Sequence, residues 1–159
     1  MPLPSADNNG TLEMRFGLET LFYTHGVDIY LCGHQHNAER HFDVAFGETT
    51  HATEDPPATT YIVTGAGGNR EDITPFTTDN PPRVAARSME WGYSVLEVHN
   101  ATHVYFEQRG CDRHGGHHDR DEVVDATWIV QRAHGAFANR GPQPSAAVAV
   151  KGWRLRRQH

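Results

Sequence analysis

Apolar positions along the 159-residue chain come in short runs separated by long polar stretches. In the first run Met14, Leu18, Leu21 and Phe22 recur at i, i+4, i+7 and i+8, one face of a helix over residues 12–25. Gly26 supplies a C-terminal stop. Val27-Asp28-Ile29-Tyr30-Leu31-Cys32 follows at once and reads as a buried strand, so helix and strand form half of an α/β unit. Tyr61-Ile62-Val63-Thr64 reads as another strand, running into Gly65-Ala66-Gly67-Gly68-Asn69. Residues 93–98 and 103–107 are β-rich and flank His99-Asn100-Ala101-Thr102, a hairpin pattern. Residues 126–130 add a third antiparallel strand. Alternation puts Val95 on one face of the hairpin and Leu96 on the other, which predicts that both faces are covered near its middle. Residues 1–11 read as a loose polar arm. Residues 133–159, rich in Gly, Pro, Ala and Arg without periodicity, read as a disordered tail. The folded part expected from the pattern is 12–132.

Composition narrows the class. Only 37% of residues are hydrophobic, with 15 Gly and 9 Pro, so the core is small and loops are extensive. No apolar run reaches the ~18 residues of a membrane span. Met1-Pro2-Leu3-Pro4 has neither the basic nor the apolar region of a signal peptide. A formal net charge of -6 argues against nucleic acid as a partner. Two cysteines make no disulfide framework. Cys32, inside an apolar run, reads as a small buried hydrophobe, and Cys111 lies in a polar loop. Twelve histidines is the figure that raises a chemical question.

The answer starts at Gly33-His34-Gln35-His36, directly after the first strand. Ligands in open α/β sheets gather at the carboxyl ends of strands. Two imidazoles two residues apart can face one metal region where the backbone turns, and neutral imidazole suits iron, zinc and manganese. The pair alone is equally compatible with surface or hydrogen-bonded histidines.

The wider block, Gly33-His34-Gln35-His36-Asn37-Ala38-Glu39-Arg40, resembles the GHxHxYER block of the purple acid phosphatases, dinuclear metallophosphatases of the calcineurin-like superfamily. The resemblance continues in order through Gly17–Asp28, through Tyr61–Gly65 with Gly67-Gly68-Asn69 and Glu71, through Gly92–His103, and through Asp125–Val130. Thr74-Pro75-Phe76 is similar to the "TPF" segment of the animal-type branch. The match spans residues 12 to 132. Ala38 stands where the family block carries an aromatic residue. Of the five metal-binding blocks, only GHxH occurs. GDxG, GDxxY, GNH[DE] and the VxxH-type block do not, so the resemblance is to the C-terminal part of such a domain.

The resemblance implies an α/β fold, α+β in this segment: the C-terminal portion of a four-layer α/β/β/α metallophosphatase sandwich ending in an antiparallel hairpin. It implies an acid phosphatase that hydrolyses phosphate monoesters with a dinuclear centre of Fe(3+) and Zn(2+), Mn(2+) or Fe(2+). His34 would bind the divalent metal and His36 the ferric ion. Glu39 and Arg40 are expected to form an ion pair that holds the loop. The family is largely secreted, vacuolar or lysosomal. With one ligand block in the sequence, this chain alone is expected to be inactive. An inactive fragment or pseudoenzyme is the alternative function. A β-rich interaction module without phosphate chemistry is the rival from another class.

Other motifs carry less. His114-Gly115-Gly116-His117-His118 reads as a solvated loop, and Lys151, Arg154, Arg156 and Arg157 as a solvated tail. The 65–69 loop lacks the Gly-Lys-Ser/Thr of a nucleotide loop, and its glycines are expected to serve positive φ and close backbone approach. Asn9-Gly10-Thr11 and Asn100-Ala101-Thr102 match the N-glycosylation acceptor pattern, the second on a hairpin turn.

Overall fold

Helix α1 (Leu12–His25) ends as its sequence predicts. Gly26 takes φ 67°, and the Val27 N–H donates back to Phe22 O at 3.0 Å, the closing bond of a Schellman cap. The computed structural model describes residues 12–68, 70–77, 79–111 and 121–140, with side chains from Gly17 onward. Asn9, Asn69, the histidines at 114–118 and the basic tail lie outside the described residues.

Beyond α1 come β1 (Ile29–Cys32), β2 (Ala38–Val44), β3 (Thr59–Thr64) and β4 (Val84–Ser88), in one sheet of order β1-β3-β2-β4. β1 and β3 are parallel, and β2 runs antiparallel to both β3 and β4. β5 (Gly92–Val98), β6 (His103–Gly110) and β7 (Glu122–Val130) form a second, antiparallel sheet. The hairpin and third strand expected from the sequence are both there, with β7 starting four residues earlier than its apolar stretch.

One face of the first sheet carries Ile62, which packs with Phe106, Ile129 and Ile29 as the core between the sheets. Across the same gap Arg40 grips Asp125 with two bonds, 2.7 and 2.9 Å, and Ser94 donates to Thr64 Oγ1 at 2.7 Å. The opposite face carries Tyr30 and Tyr61, whose rings meet Phe22 of α1 at 5.0 and 6.3 Å. The layers are therefore helix, mixed sheet and antiparallel sheet, the α+β reading of the segment.

Five expectations need correction. β1 is not a buried strand: it lies at the edge of its sheet, none of its four residues is fully buried, Leu31 is 43% exposed and Cys32 is half-buried. Of the predicted helix face Phe22 packs on the sheet but Leu21 is 53% exposed, because α1 turns Glu19 and Tyr23 inward beside Phe22. Val95 and Leu96 are 36% and 39% exposed: β5 is an edge strand, and neither of its faces is fully covered there. Glu39 and Arg40 do not hold each other. Adjacent strand residues point to opposite faces, so Glu39 binds Arg87 and His41 while Arg40 crosses to Asp125. The tail does not begin at 133. A 3-10 turn, Phe137–Asn139, buries Phe137 against Tyr23. Arg140 stacks over that ring and bonds Asp28, Gly26 O and Gly135 O.

Candidate metal-ligand loop

Residues 33–37 leave the carboxyl end of β1 in a tight coil. The Gln35 N–H donates to Gly33 O at 3.0 Å, and the Asn37 N–H donates to Gln35 O at 2.9 Å. His34 is the central residue of the first of these turns, with φ 74°, a left-handed conformation that costs a side chain energy and persists only where its surroundings hold it. That turn lets both histidines leave the strand direction.

Two neighbouring segments do the holding. The Gly65 N–H donates to Asn37 O at 3.0 Å, which fixes the end of β3 to the loop. The Thr74 N–H donates to His36 O at 2.9 Å, and Asn37 Nδ2 returns a bond to Thr74 O at 3.1 Å. The Gly65 position has no room for a side chain, since a Cβ there would lie 1.8 Å from Gln35 O. The other loop glycine with a special role is Gly68, at φ 60°. Both uses expected of this glycine loop, close approach at Gly65 and positive φ at Gly68, are thus present.

Further down the same side, Glu39 is buried with Arg87 donating to it at 2.8 Å and His41 hydrogen-bonded to its other oxygen. The Arg87 guanidinium lies 4.3 Å over the Phe76 ring, so the pair also seats the 74–76 segment that clasps His36. Glu39 supports the loop from beneath, by partners other than the one expected.

His34 is exposed and His36 half-buried, its Nδ1 3.8 Å from the exposed carboxylate of Glu71. Cys32, two residues before His34, has its thiol pushed up to about 11 by burial and the nearby Glu39 charge. Asn37 is fully buried, and its Oδ1 has no partner among the described residues. Sequence reasoning passed over Asn37, Thr74 and Glu71 as site residues. All three lay within quoted motifs, but only the fold shows that they meet the histidine coil.

No group of three or more His, Cys, Asp or Glu able to hold a metal ion occurs among the described residues. His34 and His36 place two imidazoles on this loop and do not by themselves make up such a group.

Residues 58–126 match the family described as "Iron/zinc purple acid phosphatase-like protein C". Human "Acid phosphatase type 7" is 34% identical over 125 residues, covering 76% of this chain and 27% of that protein. This segment is the C-terminal part of a purple acid phosphatase-like domain. Arabidopsis thaliana "Purple acid phosphatase 5" is 32% identical over 127 residues, covering 75% of this chain and 31% of that one. "Fe(3+)-Zn(2+) purple acid phosphatase 12", also from Arabidopsis thaliana, is 30% identical over 127 residues, covering 75% and 26%. The purple acid phosphatase PPD1 from yellow lupin seeds superposes with a TM-score of 0.61 at 22% identity, over 72% of this chain and 19% of that one, a likeness of fold. The chain thus spans about a quarter of the length of the curated relatives it matches. In this purple acid phosphatase-like segment, the His34–His36 coil lies at the carboxyl end of a parallel strand pair, and among the described residues no helix is long and apolar enough to cross a membrane.

Proposed function

We propose that the chain supplies the GHxH part of an acid phosphatase that hydrolyses phosphate monoesters, His34 and His36 each giving one imidazole to a dinuclear iron/zinc centre. When bound, such a pair of metals clamps a phosphate ester and activates water for in-line attack. The chain's own part is positional. The left-handed turn at His34 directs two imidazoles out of one strand end. The bonds from Gly65, Thr74 and Asn37 restrict where those rings can move. Neutral imidazoles add no negative charge, so the carboxylates that balance the metals belong to the rest of the donor set. The single observation that carries the reading is this strained coil, held by two neighbouring segments in a chain whose relatives are named acid phosphatases.

The same geometry favours a second statement: this chain alone does not catalyse. Two ligands without a bridging carboxylate fix neither metal spacing nor charge. The experiment has two arms. The chain as written is assayed against an aryl phosphate at acid pH with iron and zinc, beside the His34→Ala, His36→Ala double variant, and equal rates are expected. The chain is then joined to an upstream segment carrying GDxG, GDxxY and GNH[DE] from a purple acid phosphatase. Activity is expected there, falling by about a hundredfold or more in either single variant, since even outer partners of metal ligands cost that much. Activity in the joined protein that ignores both histidines would overturn the ligand assignment.

A further inference from the structure

β5 has the side chains of a covered strand and the surroundings of an open one. Val95 faces outward from the sandwich, and Leu96 and Val98 face inward on the side of Phe106, the partner of Leu96. Apolar residues on both faces suit a strand covered on both. All three are nonetheless exposed, Val98 by 68%. The backbone is half-used as well. The His99 N–H donates to His103 O at one end of the hairpin and the Cys111 N–H to Trp91 O at the other. By alternation Tyr93, Val95 and Glu97 bond to β6, while Ser94, Leu96 and Val98 direct their N–H and C=O groups away from it. Those groups have no backbone partner among the described residues.

We propose that β5 is the contact between two copies of this chain, paired antiparallel about a twofold axis at Leu96. Pairing requires outward-directed residues to stand opposite one another. Centred on Leu96, Ser94 meets the second copy's Val98 and Leu96 meets its own counterpart, so every free group on the edge finds a partner. The neighbouring registers are worse. Centred on Val95, the second copy's Val98 would meet Gly92, whose N–H already donates to Ala66 O at 3.3 Å. Centred on Glu97, the two carboxylates would stand directly opposite, which is destabilising. In the Leu96 register each Glu97 lies opposite a Val95 and keeps its own His99 at 3.1 Å.

Charge argues for a second copy as the occupant. The chain carries a net charge of -6, which opposes self-association over most of its surface. β5 brings one charged side chain to the contact and holds neither the proline nor the lysine that guards many open edges. The Arg40–Asp125 and Ser94–Thr64 bonds set β7 over β2 and β5 over β3, so the β5 edge opens on the side where β1 ends the facing sheet and leaves Leu31 exposed. Pairing joins the two three-stranded sheets into one. The contact uses the same strand in both copies and closes at a dimer. The inference is independent of the phosphatase reading.

The test is sedimentation velocity of the full chain over a range of concentrations, where a monomer–dimer equilibrium is expected. Val95→Glu sets a second carboxylate against each Glu97 and should leave the chain monomeric. Val95→Lys should dimerise at least as well as the wild type, and adding Glu97→Lys to Val95→Glu should restore the dimer. Val95 is exposed, and Glu107 opposite it is already held by Tyr105 and Arg109, so the monomer tolerates either charge. A second measurement needs no dissociating variant. In a Cys111→Ser background, Val95→Cys mixed with Glu97→Cys should oxidise to a disulfide-linked pair faster than either alone, because directly opposed residues of this kind have Cα atoms about 4.5 Å apart. A chain monomeric at every concentration, a dimer indifferent to the charge at 95, or cross-linking no faster in the mixture overturns the proposal. So does loss of both dimer and cross-link when the chain is joined to the upstream phosphatase segment, which would assign the edge to that segment.

Discussion

Replacing Gly65 by alanine adds one carbon where backbone already stands. The new Cβ would lie 1.8 Å from Gln35 O and 2.8 Å from Gln35 C. Real contacts of this kind do not close below 3.0 Å, so the end of β3 and the His34–His36 coil must part by at least about 1.2 Å. No side chain can yield instead, because the obstacle is a carbonyl held within two tight turns. Overpacking of this sort costs about 1–3 kcal/mol. Parting the segments also breaks the Gly65 N–H bond to Asn37 O, worth about 1 kcal/mol. Alanine returns about 0.4–1 kcal/mol by restricting the unfolded chain. The net loss is about 1–3.5 kcal/mol, which for a chain of this length lowers Tm by about 2–14 °C. Gly17 is the control. It lies inside α1, where an added Cβ would meet nothing within 4 Å, so Gly17→Ala should stabilise by about 0.5–1 kcal/mol. Thermal and urea unfolding followed by circular dichroism measure both. A Gly65→Ala protein that melts with the wild type, or two variants shifting in the same direction, would refute the close-approach argument.

Three further outcomes follow from named contacts. Arg40→Ala leaves Asp125 mostly buried between the sheets without its two bonds, and should cost about 3 kcal/mol in urea unfolding, whereas Arg40→Met with Asp125→Leu should cost much less. Asp55 accepts from the Arg132 backbone N–H and guanidinium, which hold its carboxyl below the ordinary range. Its contribution is therefore present above the unfolded carboxylate pKa and lost as pH falls through the depressed folded value, so the stability gap between wild type and Asp55→Asn should close on acidification and not on alkalinisation. With its thiol at about 11 against an ordinary 9.0, Cys32 carries about a hundredfold less thiolate than an unperturbed thiol, so disulfide-reagent titration at neutral pH should show a fast phase lost in Cys111→Ser and a slow phase lost in Cys32→Ser.

The sequence by itself determined the parts whose order is local. The α1 periodicity and its Gly26 stop, the apolar run that became β1, and the β5–β6 hairpin are each written within a dozen or so residues, because helix caps and hairpin turns are satisfied by near neighbours. The GHxH block could be recognised for the same reason: a strand followed by a turn and two imidazoles is a local arrangement. β2 was not legible. Four of its seven residues, Glu39, Arg40, His41 and Asp43, are ionisable, so no apolar alternation marks it. They are tolerated inside because partners elsewhere along the chain neutralise or satisfy them: Arg87 for Glu39, Asp125 for Arg40, and the Thr49, Thr50 and Ala52 groups for Asp43. The packed turn at Phe137 was hidden likewise, since its aromatic contact and the Arg140 clasp on Asp28 join residues more than a hundred positions apart. The bracing of His36 by Thr74 and Asn37 belongs to the same class. Only the tertiary structure decided these, because a buried charge or a strained turn is stable through its partners, and their identity is fixed by the fold rather than by spacing along the chain.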